Sequence, residues 1–377
     1  MESNPNKKTG IITFHASYNC GSMLQAYALQ KFLNKNEYEN EIIDFSSKGQ
    51  RCLYSVFFKN NSIKNIIKNL IVFFNKKQIS KNYKLYEKFK RENFNLSCCF
   101  TSENSEIKDN YKAVISGADQ IWNITISDYD DAYFLNWVKN ARKIAYAPSF
   151  GAKNPKEYAS DIDKYKEFLM DYDYLSIREN NGKKWINELI DKEVPLVLDP
   201  TLIIDKEDYE ELISDELKLP DKYIFYYSPG FTHEINSMVK QISKKYKIPV
   251  ITFNSKAYYL RGVNLTGFKL PESENPSTYL QLMKNASLVI TTSFHGTIFS
   301  TLYRKKFWVI KNGNMFLDDD RVLTLVNQLG LNDRLIGSEY NDNFNYMSEV
   351  DYDKYDNSIS DLKSFSQKYL LDALEGK

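Results

Sequence analysis

Residues 286–310 read ASLVITTSFHGTIFSTLYRKKFWVI, an order of side chains that spells strand, tight turn, helix and strand. Ser287 to Thr291 form a short apolar, β-branched run suited to a strand buried on both faces. Thr292, Ser293, Phe294, His295 and Gly296 break that run, and Ile298, Phe299, Leu302 and Tyr303 then recur at helical spacing before Phe307, Trp308, Val309 and Ile310 resume a strand pattern. In an open α/β sheet, ligands sit at the turn leaving the carboxyl end of a strand. The helix that follows offers free N–H groups and the positive end of its dipole, so an anion can dock there. His295 stands at this turn between Ser293 and Thr297, with Gly296 allowing close backbone approach. Spacing alone fits a packing role for the histidine as well as a functional one.

The chain has 377 residues, more than one core usually supports, so two domains are expected. Its 42% hydrophobic and 15% aromatic content is that of a globular protein, and a net charge of +1 argues against a nucleic-acid partner. Cys20, Cys52, Cys98 and Cys99 have no zinc-binding spacing, no metal site is expected, and thiols read as reduced point to the cytoplasm. The first ten residues lack the apolar core of a signal peptide, and no apolar run reaches the roughly 18–20 residues of a spanning helix.

Outward from the opening stretch the same unit recurs. Residues 10–14 read as a strand, His15 to Gly21 as a turn, and Met23, Leu24, Tyr27, Ala28 and Phe32 as one face of a helix. His15, Asn19 and Gln25 in this unit serve either as caps and packing partners or as contacts to sugar hydroxyls, for which amides supply donors and acceptors. After a strand at 41–45 the composition shifts: residues 48–92 carry twelve lysines and arginines against Glu87 and Glu92, interleaved with isoleucine, leucine and phenylalanine. Such a segment is either an interfacial surface for an anionic membrane or ordinary helices with a solvated lysine face.

Strands are expected at 113–116, 143–147, 174–177 and 194–198, each ending in polar or turn residues. Asp119, near Trp122, either caps a helix or orients a hydroxyl. Arg178 suits capture of phosphate or carboxylate, with an ion pair to Glu179 or another acid as the alternative. Alternation restarts with a strand at 223–227, a helix at 233–246 and a strand at 249–253, so two α/β units meeting near residue 204 are expected to enclose a cleft. Arg321 opens a helix of Val322, Leu325, Val326 and Leu329 that stops at Gly330. A cation there opposes the dipole and is read as answering a bound anion.

Several of these segments together resemble the polysaccharide pyruvyl transferase family. The resemblance rests on Asn19, Gly21, Leu24, Gln25, Tyr27, Ala28 and Leu29, then on SGADQIWN (116–123), APSFG (147–151), SIREN (176–180), LDPTLI (198–203), SFHGT (293–297) and a late Arg321, all in order over about residues 10–335. It implies two Rossmann-like domains facing across a cleft, as in the GT-B glycosyltransferases: an acceptor-binding domain over 1–203 with the basic insertion at about 48–92, a donor-binding domain over 204–357, and a closing helix over 358–377 that packs back on the body. The implied reaction moves pyruvate from phosphoenolpyruvate to a sugar of a surface polysaccharide or its lipid-linked precursor, forming a cyclic ketal and releasing phosphate. Phosphoenolpyruvate is the co-substrate and no other cofactor is implied. The resemblance further implies catalytic roles for His295, Arg178 and Asp119. Ser293, Gly296, Thr297 and Arg321 would join His295 and Arg178 around the donor, and His15, Asn19, Gln25, Asp119 and Trp122 would hold the acceptor. Where some members carry a basic residue this chain has Ser293, so that one positive charge is either missing or supplied by Lys311 or Arg304. The protein is then expected in the cytoplasm, peripheral at the inner face of the cell membrane if the basic segment seats it there. Rival readings on the same architecture are a nucleotide-sugar-dependent glycosyltransferase and a non-catalytic sugar-binding or scaffold protein.

Overall fold

The computed structural model describes residues 8–103, 106–213, 217–311 and 319–377. Its first sheet is built from β1 (Thr9–Ile12), β2 (Asn40–Ile42), β3 (Ala113–Ser116) and β4 (Arg142–Ala145), all parallel, in the order β2-β1-β3-β4. β1 and β3 have every residue buried, as central strands covered on both faces by crossover helices must. The helix α1 (Cys20–Lys35) leaves β1 through a turn capped by Asn19, whose side chain accepts from the Gly21 N–H. The expected strands at 174–177 and 194–198 extend this sheet only by single bridges, Ile144 to Tyr174 and Ile177 to Leu196. Pro195 has no N–H to continue a ladder, and the chain turns into a helix, Asn180–Ile190, directly after Arg178 and Glu179.

The second sheet holds β5 (Ile224–Tyr227), β6 (Val250–Thr252), β7 (Leu288–Thr291), β8 (Phe307–Ile310) and β9 (Leu335–Ile336), again all parallel, in the order β9-β8-β7-β5-β6. After β7 the tight turn expected from sequence is reduced to Thr292 and Ser293, and the chain enters α2 (Phe294–Leu302). Ser293 is the N-cap, its Oγ accepting from the Gly296 N–H, so His295 lies inside the first helical turn. The architecture is therefore two parallel α/β sheets, and β1 and β7 direct their carboxyl ends, with the first turns of α1 and α2, at one another.

Two long helices tie these halves together. The helix of the basic segment, Ile63–Asn93, is 31 residues long, or about 46 Å. Its Tyr86 and Phe89 join the core beneath α1. From the same helix, Asn82 donates to Ser255 Oγ and Glu274 Oε2 in the second domain. The closing helix, Tyr352–Glu375, returns to the first domain, where Ser366 Oγ accepts from Leu198 N–H at 2.9 Å and Gln367 donates to Ile203 O at 2.7 Å. No helix among the described residues is long and apolar enough to cross a membrane.

Candidate active site

A cavity of about 410 Å³ opens where the two sheets face each other, and His295, Arg178, Asp119, Asn19, Ser293 and Arg321 all line it. Residues separated by up to 302 positions in the chain are brought to one place by the crossing of strand ends. The imidazole of His295 is almost fully buried, and its Nε2 lies 3.5 Å from Asp199 Oδ2 without a hydrogen-bond partner. The same Oδ2 accepts from Arg178 Nη1 at 2.7 Å, while Oδ1 accepts from the backbone and hydroxyl of Thr201. Asp199 is thus fixed by its own turn and presents one oxygen to both a guanidinium and an imidazole. Complete burial opposes its charge, but His295 and Arg178 outweigh that and hold its carboxyl well below the usual carboxylate range.

Arg178 reaches a second carboxylate, Asp119 Oδ1, at 3.2 Å through Nη2, and its guanidinium lies over the Phe294 ring at 4.3 Å. Asp119 sits in the left-handed region (φ 73°), a conformation Asp tolerates better than most residues, and also accepts from Ser22 Oγ at 2.6 Å. Burial works against its ionisation, yet Arg178, His295 and Ser22 together keep its carboxyl below the ordinary value. Glu179 goes the other way: burial dominates, Arg178 and Arg321 offset it only in part, and its carboxyl is pushed up to about 8. Glu179 Oε1 accepts from Phe150 N–H, while Oε2 and the neighbouring Arg178 Nε, 3.9 Å away, have no hydrogen-bond partners. One donor of the guanidinium is therefore buried and uncommitted.

Arg321 lines the cavity already paired with Asp319, Nε donating to Oδ1 at 2.7 Å and Nη2 to Oδ2. The cation at this helix start has an internal anion, so a bound ligand is not needed to account for it. Gly296 and Thr297 do not line the cavity. A Cβ at Gly296 would overlap Thr291 Oγ1, and Thr297 is buried with its N–H and hydroxyl both donating to Ser293 O. Their task is to let α2 start tightly on β7 and so aim His295. Arg304 does not substitute for a basic residue at 293, because it is exposed and forms a two-pronged ion pair with Asp356.

On the acceptor side the expectation needs correcting at three positions. His15 is fully buried between Thr13 O and Asp44 Oδ1. Gln25 is equally buried, donating to Thr13 Oγ1 and Ser22 O and accepting from Ala118 N–H, which braces the loop carrying Asp119. Trp122 stacks on Phe134 with centroids 5.0 Å apart inside the first domain's core. Each is saturated by its neighbours and positions the cavity without facing it. Asn19 and Asp119 alone of that set line it.

Sequence reading overlooked Asp199, Ser22 and Asp128. Asp199 was visible as the acid of LDPTLI at a strand end, the same kind of position that singled out Arg178. Asp128 lies in a loop with no patterned flank. It lines the cavity, and burial pushes its carboxyl up to about 6.

No curated protein sequence matches the chain. Among solved structures, UDP-GlcNAc 2-epimerase from Neisseria meningitidis bound to UDP-GlcNAc is similar at a TM-score of 0.50 and 11% identity, over 98% of this chain and 100% of that one. S. aureus MnaA in its UDP co-structure gives 0.51 and 12%, over 98% and 96%. A putative UDP-N-acetylglucosamine 2-epimerase from Listeria monocytogenes gives 0.50 and 11%, over 98% and 95%. At such identities these likenesses show the fold, which is of the GT-B type. The family model for polysaccharide pyruvyl transferase matches residues 19–314, a span that starts at the Asn19 cap, contains Asp119, Arg178, Asp199 and His295, and covers most of the chain. The chain belongs to the polysaccharide pyruvyl transferase family.

Proposed function

We propose that this protein transfers the pyruvyl group of phosphoenolpyruvate to two hydroxyls of a sugar in a surface polysaccharide or its lipid-linked precursor, releasing phosphate and leaving a cyclic ketal. The observation that carries this reading is the triad of His295, Asp199 and Arg178, in which two residues that line the cavity each keep a buried nitrogen, the imidazole Nε2 and the guanidinium Nε, without a hydrogen-bond partner. Histidine is suited to proton transfer near neutral pH, and the Asp199 carboxylate lies 3.5 Å from its Nε2. His295 would protonate the methylene carbon of the donor, a sugar hydroxyl would attack the oxocarbenium-like carbon so formed and return its proton to His295, phosphate would leave, and a second hydroxyl would close the ring, its proton going to the released phosphate. Arg178 Nε and Arg321 would meet the donor's carboxylate and phosphate. A carboxyl at Glu179 that stays protonated near neutral pH reduces the negative charge those arginines already balance. Asp119, held by Ser22, and Asn19 would orient the acceptor.

The site is expected to work at a membrane surface. Ile63, Ile66, Ile67, Leu70 and Phe74 share one face of the 31-residue helix and are exposed, Ile63 at 79% and Phe74 at 81%, with Lys76 and Lys77 just beyond. The deciding experiment mixes the full chain with phosphoenolpyruvate and galactose-type or N-acetylmannosamine-type acceptors and follows phosphate. Acceptor-dependent phosphate release supports the reading. Consumption of a UDP-sugar in its place would make the protein a glycosyltransferase, and binding of sugars without turnover of either donor would make it a sugar-binding member.

A further inference from the structure

Beside the His295 cavity lies a larger one of about 560 Å³, walled by the basic helix on one side and the second domain on the other. Asn19, Leu53, Tyr54 and Pro229 line both, so the two adjoin. Tyr18, Tyr54, Tyr83 and Tyr86 form an aromatic wall, with ring centroids 4.5 to 5.5 Å from that of Tyr18, the kind of surface on which the apolar face of a sugar packs. Within the lining, Glu274 Oε2 is held by Asn82 and by Ser255 N–H, while its buried Oε1 has no partner. That oxygen is free to accept a hydroxyl.

The cations lining this cavity outnumber its one lining acid, Glu274, four to one. Lys64 and Lys68 from the basic helix, Lys256 from the helix Ser255–Leu260 and Arg261 at that helix's C-cap line it, and none has an ion-pair partner among the described residues. Lys68 and Lys256 both lie on the Phe58 ring, at 4.8 and 4.3 Å from its centroid. Burial, with Lys68 nearby, brings the Lys256 ammonium down to about 8. Like charges gathered without a counter-ion repel one another. A bound anion removes that cost. Lys64 and Lys68 also stand roughly 100° round the helix from Ile63, Ile67 and Phe74, so a molecule with an apolar chain against the outer face would bring its head group to them.

We propose that this second cavity is the acceptor site and that its acceptor is a glycosyl phosphate or pyrophosphate, the phosphate lying among Lys64, Lys68, Lys256 and Arg261 and the sugar on the tyrosine wall toward His295. This rests on the pyruvyl-transfer reading and names the substrate class for it. The shared chemistry is the sugar-bearing phosphate, carried either by a lipid or by a nucleotide.

Calorimetric titration of the full chain tests it with two soluble probes, farnesyl pyrophosphate for the lipid source and UDP-N-acetylglucosamine for the nucleotide source, with phosphoenolpyruvate titrated separately. At least one probe should bind once per chain, and the double variant Lys64→Gln with Lys68→Gln should weaken it by about tenfold or more, the loss of two charge-assisted contacts, with phosphoenolpyruvate affinity unmoved. Arg261→Ala, on the opposite wall, should weaken the same probe. Whichever probe binds more tightly identifies the carrier. Probe binding indifferent to both variants, or a chain that binds phosphoenolpyruvate but neither probe, would overturn the proposal, as would an equal loss of phosphoenolpyruvate affinity in the lysine variant. Lysine-dependent probe binding without any phosphoenolpyruvate binding would instead sink the donor reading and leave this anion site standing.

Discussion

Gly21 lies against the imidazole of His295: a Cβ added at Gly21 would stand 2.5 Å from His295 Cγ and closer still to Nδ1. The first turn of α1 in one domain is therefore the floor under the histidine of the other, and the distance leaves room for no side chain. Gly21→Ala should push the ring off its position beside Asp199. A displacement near 1 Å commonly costs about 100-fold in rate, while overpacking one methyl costs about 1–3 kcal/mol of stability. Steady-state rates beside a melting curve would separate the two. A variant of full activity would mean that the ring's position is not held from below.

Arg178 is the hub of the buried charges, so its replacement should cost stability as well as turnover. Arg178→Ala leaves Asp199 and Asp119 without their shared partner, a loss of about 3–5 kcal/mol for a broken buried pair, measurable by urea unfolding. Arg178→Lys keeps the charge, but one ammonium cannot bridge two carboxylates as the planar guanidinium does. It should recover part of the stability and little of the activity.

Glu179 gives a pH dependence with a definite sign. Its carboxyl has an ordinary value of 4.5 and is pushed up to about 8 in the folded chain. Between those values the unfolded chain loses the proton while the folded chain keeps it, so this residue's contribution to stability is full below 4.5 and declines as pH rises toward about 8. Glu179→Gln cannot ionise, and its amide oxygen can still accept from Phe150 N–H. The variant's melting temperature relative to the parent should climb across that window and level off above it. A difference that stays flat from acid to mildly alkaline pH would show that folding does not raise the Glu179 carboxyl.

The exposed face of the basic helix predicts recovery with anionic vesicles. Flotation of the full chain with phosphatidylglycerol-containing liposomes should carry it upward, and Ile67→Glu with Phe74→Glu should leave it at the bottom, since both side chains are exposed and a charge on an inserted face opposes burial in lipid. Equal recovery with and without vesicles would remove the membrane from the account.

The alternation of buried strands with polar turns made the two α/β halves legible in the sequence, because a parallel sheet demands apolar runs such as 288–291 and 307–310 and places ligand-facing residues at their carboxyl ends. His295, Arg178 and Asp119 were found by that rule. What the rule could not give was direction. His15 and Gln25 occupy the same kind of turn as Asn19, yet His15 is taken up by Asp44 and Gln25 by Ala118, contacts across 29 and 93 residues that no local pattern carries. The basic segment was legible as charge beside apolar side chains, but its second half is a clamp: Asn82 reaches Glu274 in the other domain, and only the tertiary fold brings Lys68 and Lys256 to one phenylalanine.

Proton work by His295 is the claim on which the chemistry turns, and His295→Gln tests it most directly. The measurement is phosphate released from phosphoenolpyruvate in the presence of acceptor, together with the mass of the sugar product, for parent and variant of matched melting temperature. The parent should release one phosphate for each acceptor that gains a pyruvate less one water, and the variant should be slower by about 100-fold to 10,000-fold, the usual worth of a positioned acid or base. Ketal formation at the parent rate in His295→Gln would contradict the account.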